Sequence, residues 1–537
     1  MDTSDEIIKQ SECGHRINVV IICVIISAAF LLRFKGIWFG YPLLVHPDEH
    51  HIVNSALNMI KSHTLQPSTF LYPSLNMYLQ TVAYYALNTY NFMAGHSIAD
   101  IAMMDYYLIG RTVTVLLSVA TIYITYEIGK RLLNENIGIL AAFFVCVSHL
   151  HLARSYSITV DSPVAFWTSL SMLMAVKIYK YGEKNKYYLL AGMFTGFAVS
   201  SKYTAIFAML PMIIAHIYRV KKKLPKDWID GNLISGLIAG AAAFIITTPY
   251  ALFDVKGFIN TLEVQRQQYV YGHPGAESSG NTSLLLYLSS LYKEGYGISP
   301  TIFACIGLIW LVIKDYWKAL IIIIFPFVLL LFVGQYKTFF IRNVVAVIPF
   351  FAILTSVAIY NIAKVITQKI VIYSTIKKYN LIIMIIIAVI TAGVSYASTS
   401  KSINELSKAT LPDTRWIATK WILANFTTKL KIAREAYTPP IEEYSTNYLV
   451  TKLGYGKVVK PETKDVLANQ DYVLLSSLVY NRFINYPEKY PEMAEGYNNF
   501  FKEHELVKEF LPDWKMTGGP TIRIYKINPR SGAFLQK

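Results

Sequence analysis

Six consecutive residues, His46-Pro47-Asp48-Glu49-His50-His51, concentrate the acid–base chemistry of this chain. They follow its first long apolar run, which puts two adjacent carboxylates at headgroup depth. Charge that close to hydrocarbon is costly, and a lipid-linked phosphate would lie at the same level. A carboxylate there can take the proton of an acceptor hydroxyl, and a partly apolar setting that tunes its pKa upward would suit that work. The same residues also suit a helix start, with Pro47 as its first residue and the two acids favoured by the helix dipole. The imidazoles add a further option, a divalent ion held by Asp48, Asp161 and His50, although the spacing matches no standard structural zinc pattern. Plain hydrogen bonding is the commoner use of such histidines.

A second acid, Asp161, stands in Tyr156-Ser-Ile-Thr-Val-Asp-Ser-Pro163, between two apolar runs. With Pro163 opening the next helix it reads either as an N-terminal cap or as a second site carboxylate. Arg111, Arg154, Lys202, Lys337 and Arg342 fall on the same face. Fixed cations stabilise a phosphate leaving group as its charge grows, whereas long basic side chains also snorkel to headgroups with no further role. Lys202 and Arg342 are hardest to dismiss, because each begins a span on the side that charge bias depletes.

The elements that position these residues are mostly membrane helices. The chain has 537 residues, 54% hydrophobic and 16% charged, with 39 tyrosines, and a mean hydropathy of +0.38. Such a balance excludes an ordinary soluble enzyme. The net charge of +16 falls mainly in short loops between apolar runs, which suits lipid headgroups and topology and argues against a nucleic-acid partner. Spans are expected near 17–34, 105–127, 137–153, 163–180, 187–200, 203–219, 231–249, 297–314, 319–334, 342–361 and 381–398, about eleven in all. Basic clusters at Lys130–Arg131, Lys177–Lys186, Arg219–Lys226, Lys314–Lys318 and Lys364–Lys378 then share one side, cytoplasmic by the positive-inside rule. The other side receives the first external loop, 35–104, and everything after about residue 400. Within that loop, 75–94 is apolar but interrupted by Asn76, Gln80, Asn88 and Asn91, and reads as an interfacial helix.

The chain thus divides into a transmembrane domain, 1–399, and a small external α/β domain, 400–537. In the latter, Asp413 to Phe426 has amphipathic helical spacing, 471–476 reads as a buried strand, 491–509 as a helix and 520–527 as a closing strand. The four cysteines, all before residue 306, indicate no disulfide framework.

The order of these pieces resembles the dolichyl-phosphate-mannose protein mannosyltransferase and aminoarabinose transferase family, within the GT-C class of integral-membrane glycosyltransferases. The resemblance rests on His46-Pro-Asp-Glu49, Tyr72-Pro-Ser-Leu, Arg111, Arg154 through Asp161-Ser-Pro, and Ser201-Lys-Tyr203. It continues with Arg342 and Pro349, then Asp413-Thr-Arg-Trp leading to Glu435-Ala-Tyr. It implies a GT-C bundle and an inverting transfer of a sugar from a polyprenyl-phosphate carrier to a glycan, lipid or protein hydroxyl on the non-cytoplasmic face. By position it implies Asp48 as base, Glu49 in support, Asp161 as second acid, and Lys202, Arg342, Arg111 and Lys337 for the carrier phosphate. Nothing suggests the inserted β-trefoil of the eukaryotic branch, and the terminal external domain points to a bacterial or archaeal plasma membrane. The rival reading is a transporter or flippase of lipid-linked saccharides. That would carry its polar residues near the bilayer midplane, often with an internal repeat, and neither is visible here.

Overall fold

The computed structural model describes residues 2–182, 184–224, 228–277, 280, 282–372 and 379–528, without the side chains of 2–15, 371–372 and 379–380. Lys226, Lys377 and Lys378, named above for topology, lie outside the described residues. The residues group into two compact units: 1–37, 46–272 and 276–404 form the first, and 38–45, 273–275 and 405–537 the second.

The first unit is helical. It begins with α1 (Asp2–Gly36), α2 (Glu49–Ser62), α3 (Leu75–Met93), α4 (Met103–Leu132), α5 (Glu135–Val147), α6 (His149–Ala153), α7 (Asp161–Tyr181) and α8 (Asn185–Val199). A 3-10 turn, Tyr203–Met209, runs into α9 (Leu210–Val220). Then come α10 (Gly231–Thr247), α11 (Tyr250–Phe253), α12 (Val255–Tyr271), α13 (Leu284–Ser290) and α14 (Ile298–Gly334). A second 3-10 turn, Ile341–Val347, leads into α15 (Ile348–Ile372), and α16 (Tyr379–Ala409) closes the series. Their starts are written in the sequence: Asn134 accepts from the Ile137 N–H, Asp230 from Asn232 and Leu233, and Asp254 from Gly257, each satisfying donors that a helix N-terminus leaves open.

Among the described residues six helices are long and apolar enough to cross a membrane, and Glu135–Val147 and Gly231–Thr247 are shorter apolar helices. The two spans expected at 297–314 and 319–334 are joined as α14, whose 37 residues break at Asp315 (φ −160°, ψ 86°). The break falls between the two expected spans. The expected spans 187–200 and 203–219 meet at Ser200-Ser201-Lys202, where Lys202 is extended between α8 and the 3-10 turn. Helix packing uses missing side chains: a Cβ at Gly192 of α8 would stand 1.8 Å from the Gly236 carbonyl of α10. Only glycines allow that approach.

Segment 75–94 folds as α3 (Leu75–Met93), and Asn76, Gln80 and Asn88 face protein. Asn76 Nδ2 donates to the Thr159 carbonyl (3.2 Å), Gln80 Nε2 to that of Gly110 (3.4 Å), and Tyr106 to Asn88 Oδ1 (2.7 Å). Val82, Tyr85, Tyr90, Phe92 and Met93 are exposed along the other face. A buried core of Ile52, Val53, Met59, Met77, Tyr84 and Ile158 joins α2, α3, α4 and the turn before α7.

The second unit holds a five-stranded sheet in the order β2-β1-β3-β5-β4, with β1 (Leu430–Arg434), β2 (Tyr448–Lys452), β3 (Tyr472–Ser476), β4 (Glu505–Phe510) and β5 (Ile522–Lys526). β1 is parallel to β2 and β3, whereas β5 is antiparallel to β3 and β4. Helices α17 (Thr414–Asn425), α18 (Lys464–Ala468), α19 (Ser477–Ile484) and α20 (Pro491–Glu503) complete it. The helix expected over 491–509 therefore ends at Glu503. His504 is extended, and Glu505–Phe510 pairs with β5 as an edge strand whose first residues face solvent.

Candidate active site

Asp48 precedes α2 and Asp161 opens α7, yet neither carboxylate caps its helix. Each faces a cation brought from far along the chain. Arg342 Nη1, in the 3-10 turn before α15, donates to Asp48 Oδ2, and both side chains keep partial access to solvent. Lys202 Nζ lies 3.0 Å from Asp161 Oδ1, with Asp161 almost fully buried. Arg342 is also close enough to Asp161 and Tyr72 for their charges to act on it. Two acids and two cations thus form one electrostatic cluster, and the alternative of plain helix capping does not account for either acid.

The surroundings hold that cluster in shape. Asp48 donates its N–H to His46 Nδ1 (3.2 Å), which needs an unprotonated ring nitrogen. Burial pushes the His46 pKa below its ordinary value, against the opposing pull of Glu49 and Asp48. Tyr72 is held by its loop: the Phe70 carbonyl accepts from Tyr203 Oη (3.2 Å), and the Leu71 carbonyl accepts from Gln265 Nε2 (2.7 Å). Burial, with Asp48 and Asp161 nearby, pushes the Tyr72 phenol up, so it stays protonated as a donor. Arg154 acts on both His46 and Asp161, and its buried Nε has no hydrogen-bond partner among the described residues. Tyr269 Oη and Tyr287 Oη accept from Asn343 Nδ2 at 3.2 and 2.9 Å beside Arg342.

Glu49 and Arg111 do not belong to this cluster as expected. Both side chains are fully buried, and Arg111 Nε and Nη2 meet the two Glu49 oxygens at 2.9 and 2.8 Å. Arg111 Nη1 donates to the Ile37 carbonyl (2.6 Å), and the Ile158 N–H donates to Glu49 Oε1 (2.9 Å). A carrier phosphate could reach Arg111 only by breaking a dry bidentate pair, which is costly. The pair ties the α2 start, α4, the end of α1 and the turn before α7 together. Lys337 is also engaged differently from expectation, at 3.7 Å from Glu277. Asp48, Asp161 and His50 do not converge on a metal site: His50 stacks near His51 (4.0 Å between rings), and among the described residues no group of three or more His, Cys, Asp or Glu could hold a metal ion.

Arg154 is among the cations read on this face from sequence, whereas Tyr72 and Asn343 join the site with no role assigned to them there. Of the three, only Asn343 lies outside the stretches quoted for the resemblance.

Comparison with solved structures identifies the fold. The crystal structure of ArnT from Cupriavidus metallidurans bound to undecaprenyl phosphate superposes with a TM-score of 0.55 at 13% identity, over 94% of this chain and 97% of that one. Archaeal oligosaccharyltransferase AglB from Archaeoglobus fulgidus, in complex with an inhibitory peptide and a dolichol-phosphate, gives a TM-score of 0.57 at 13% identity, over 92% and 73%. The architecture is that of the GT-C integral-membrane glycosyltransferases, as the resemblance implied. Within it, residues 101–253 match the family model described as dolichyl-phosphate-mannose-protein mannosyltransferase, a stretch that contains Arg111, Asp161 and Lys202. No curated protein matches the chain by sequence.

Proposed function

We propose that this chain is a glycosyltransferase that moves a sugar from a polyprenyl-phosphate carrier to an acceptor hydroxyl, with inversion, on the non-cytoplasmic face of the membrane. The observation that carries the reading is the pairing of Asp48 with Arg342 and of Asp161 with Lys202 inside a GT-C fold.

The donor is a phosphodiester with one negative charge. Arg342 and Lys202 receive its phosphate, and the Nε of Arg154, without a hydrogen-bond partner among the described residues, supplies a further donor. As the phosphate takes up the positive charge of Arg342, the Asp48 carboxylate is released from that ion pair and can accept a proton. The acceptor oxygen attacks the anomeric carbon, its proton passes to Asp48, and the bond from that carbon to the phosphate oxygen breaks. The carrier leaves as a phosphomonoester with one more negative charge, which the same cations stabilise. Asp161 and Tyr72 orient the acceptor or the sugar beside it.

The test is sugar transfer from a lipid-linked donor in proteoliposomes. Asp48→Asn should lose nearly all transfer while keeping its fold. Transfer at the wild-type rate in that variant would reject the assignment.

A further inference from the structure

The first unit has a second charged cavity, far from the cluster just described. It has a volume of about 510 Å³ and is formed by the middle of α14 around its break, the second half of α15 and the start of α5. Lys314, Lys318 and Lys364 line it, against a single acid, Asp315. Asp315 is already engaged, by Lys318 Nζ at 3.2 Å and Tyr179 Oη at 3.3 Å. Lys314 and Lys364 make no ion pair among the described residues, so the cavity keeps an excess of positive charge.

Its depth follows from the helix that links the two sites. Arg342 stands at one end of the helical run 341–372 and Lys364 lies 22 residues further on. At a rise of about 2.0 Å per residue through the 3-10 turn and about 1.5 Å through α15, that separates them by about 36 Å, enough to cross the ~30 Å hydrocarbon thickness of a bilayer. The cavity therefore sits at the opposite headgroup layer. Trp310 and Tyr360 line it as well, side chains that suit an interface. Exposed Ile309, Val312 and Ile313 continue from it along α14 as an apolar surface.

We propose that this cavity binds the headgroup of an anionic glycerophospholipid, with its acyl chains along the Ile309–Ile313 face. Basic pockets between membrane helices recognise such headgroups by charge. The α14 break at Asp315 lies in the lining of this cavity, between Lys314 and Lys318. The inference is independent of the reaction proposed above.

The experiment uses the full chain in mixed phosphatidylglycerol and phosphatidylcholine, with retained lipid read by native mass spectrometry after delipidation. Wild type should retain phosphatidylglycerol in preference to phosphatidylcholine. Lys314→Gln with Lys364→Gln should cut that preference by about tenfold or more, and the Lys→Arg pair should keep it. Equal preference in wild type and the Gln variant overturns the proposal. So does loss of the lipid to millimolar inorganic phosphate, which would identify a soluble anion as ligand. Should the Gln variant not fold, brominated phosphatidylglycerol must quench a fluorescence component that Trp310→Phe removes; no such component also overturns it.

Discussion

Asp48 and Arg342, 294 positions apart, meet as an ion pair at the starts of two different helical segments. Asp48 is the residue before α2 and could have capped it, but its carboxylate turns to the guanidinium instead. A helix start that gives up its cap loses about 1 kcal/mol, so the pairing has to be held by the tertiary structure. The pair is also not dry, with both side chains partly open to solvent. A partly open acid and cation suit exchange of partners, whereas the closed Glu49–Arg111 pair suits rigidity.

That contrast gives a first prediction. Removing one member of the buried Glu49–Arg111 pair, as in Glu49→Gln or Arg111→Met, should destabilise the first unit by about 3–5 kcal/mol. Leu at both positions should recover much of the loss. Thermal unfolding of the detergent-solubilised protein reads both. An unchanged melting temperature in the single variants would place the pair outside the supporting structure.

The second pair should behave as part of the site. Lys202→Gln leaves Asp161 without its 3.0 Å partner and removes a cation from the leaving group. Transfer should fall by about 10²–10³, with Lys202→Arg recovering part of it. If the Gln variant transferred at the wild-type rate, Lys202 would be a snorkelling side chain.

A pH effect is expected in the second unit. Glu435 is buried and accepts a hydrogen bond from Tyr497. Burial pushes its pKa up to about 8 from an ordinary 4.5. A carboxyl raised in the folded state favours folding most when protonated in both states. Its contribution is therefore full below pH 4.5, falls as pH rises toward 8 and stays low above it. The slope is at most roughly 1.4 kcal/mol per pH unit. Hydrogen exchange of β1 and β3 in the full chain between pH 5 and 9 should show it, and Glu435→Gln should flatten the profile. The same slope in the variant would assign it to another group.

The glycine contact makes a packing prediction. Gly192→Leu cannot keep the α8–α10 approach, since even a Cβ would stand 1.8 Å from the Gly236 carbonyl. The helices must separate, and the melting temperature should drop by several degrees. A variant that melts like wild type would mean that the two helices tolerate a wider spacing.

Much of this fold was legible because apolar length and caps are local properties. The α14 break, the Lys202 junction and the Asp413 start of α17 follow from short stretches of chain. Asp48 and Asp161 were legible because acids beside hydrocarbon are costly. Their partners were not, since pairing is decided by tertiary structure. Glu49 was grouped with Asp48 from adjacency in sequence, and its pairing with Arg111 could not be read there. Successive residues in a helix point about 100° apart, and Glu49 turns inward as Asp48 turns to Arg342. β4 was read as helix because its residues continue an amphipathic run, and only pairing with β5 makes them a strand.

The central claim is that Arg342 exchanges Asp48 for the carrier phosphate. Equilibrium binding of polyprenyl phosphate to wild type, Asp48→Asn and Arg342→Gln tests it most directly. The account predicts that Asp48→Asn binds at least as tightly as wild type, because a competing carboxylate has gone, while Arg342→Gln binds about tenfold or more weakly. Weakened binding in Asp48→Asn, or unchanged binding in Arg342→Gln, would contradict it.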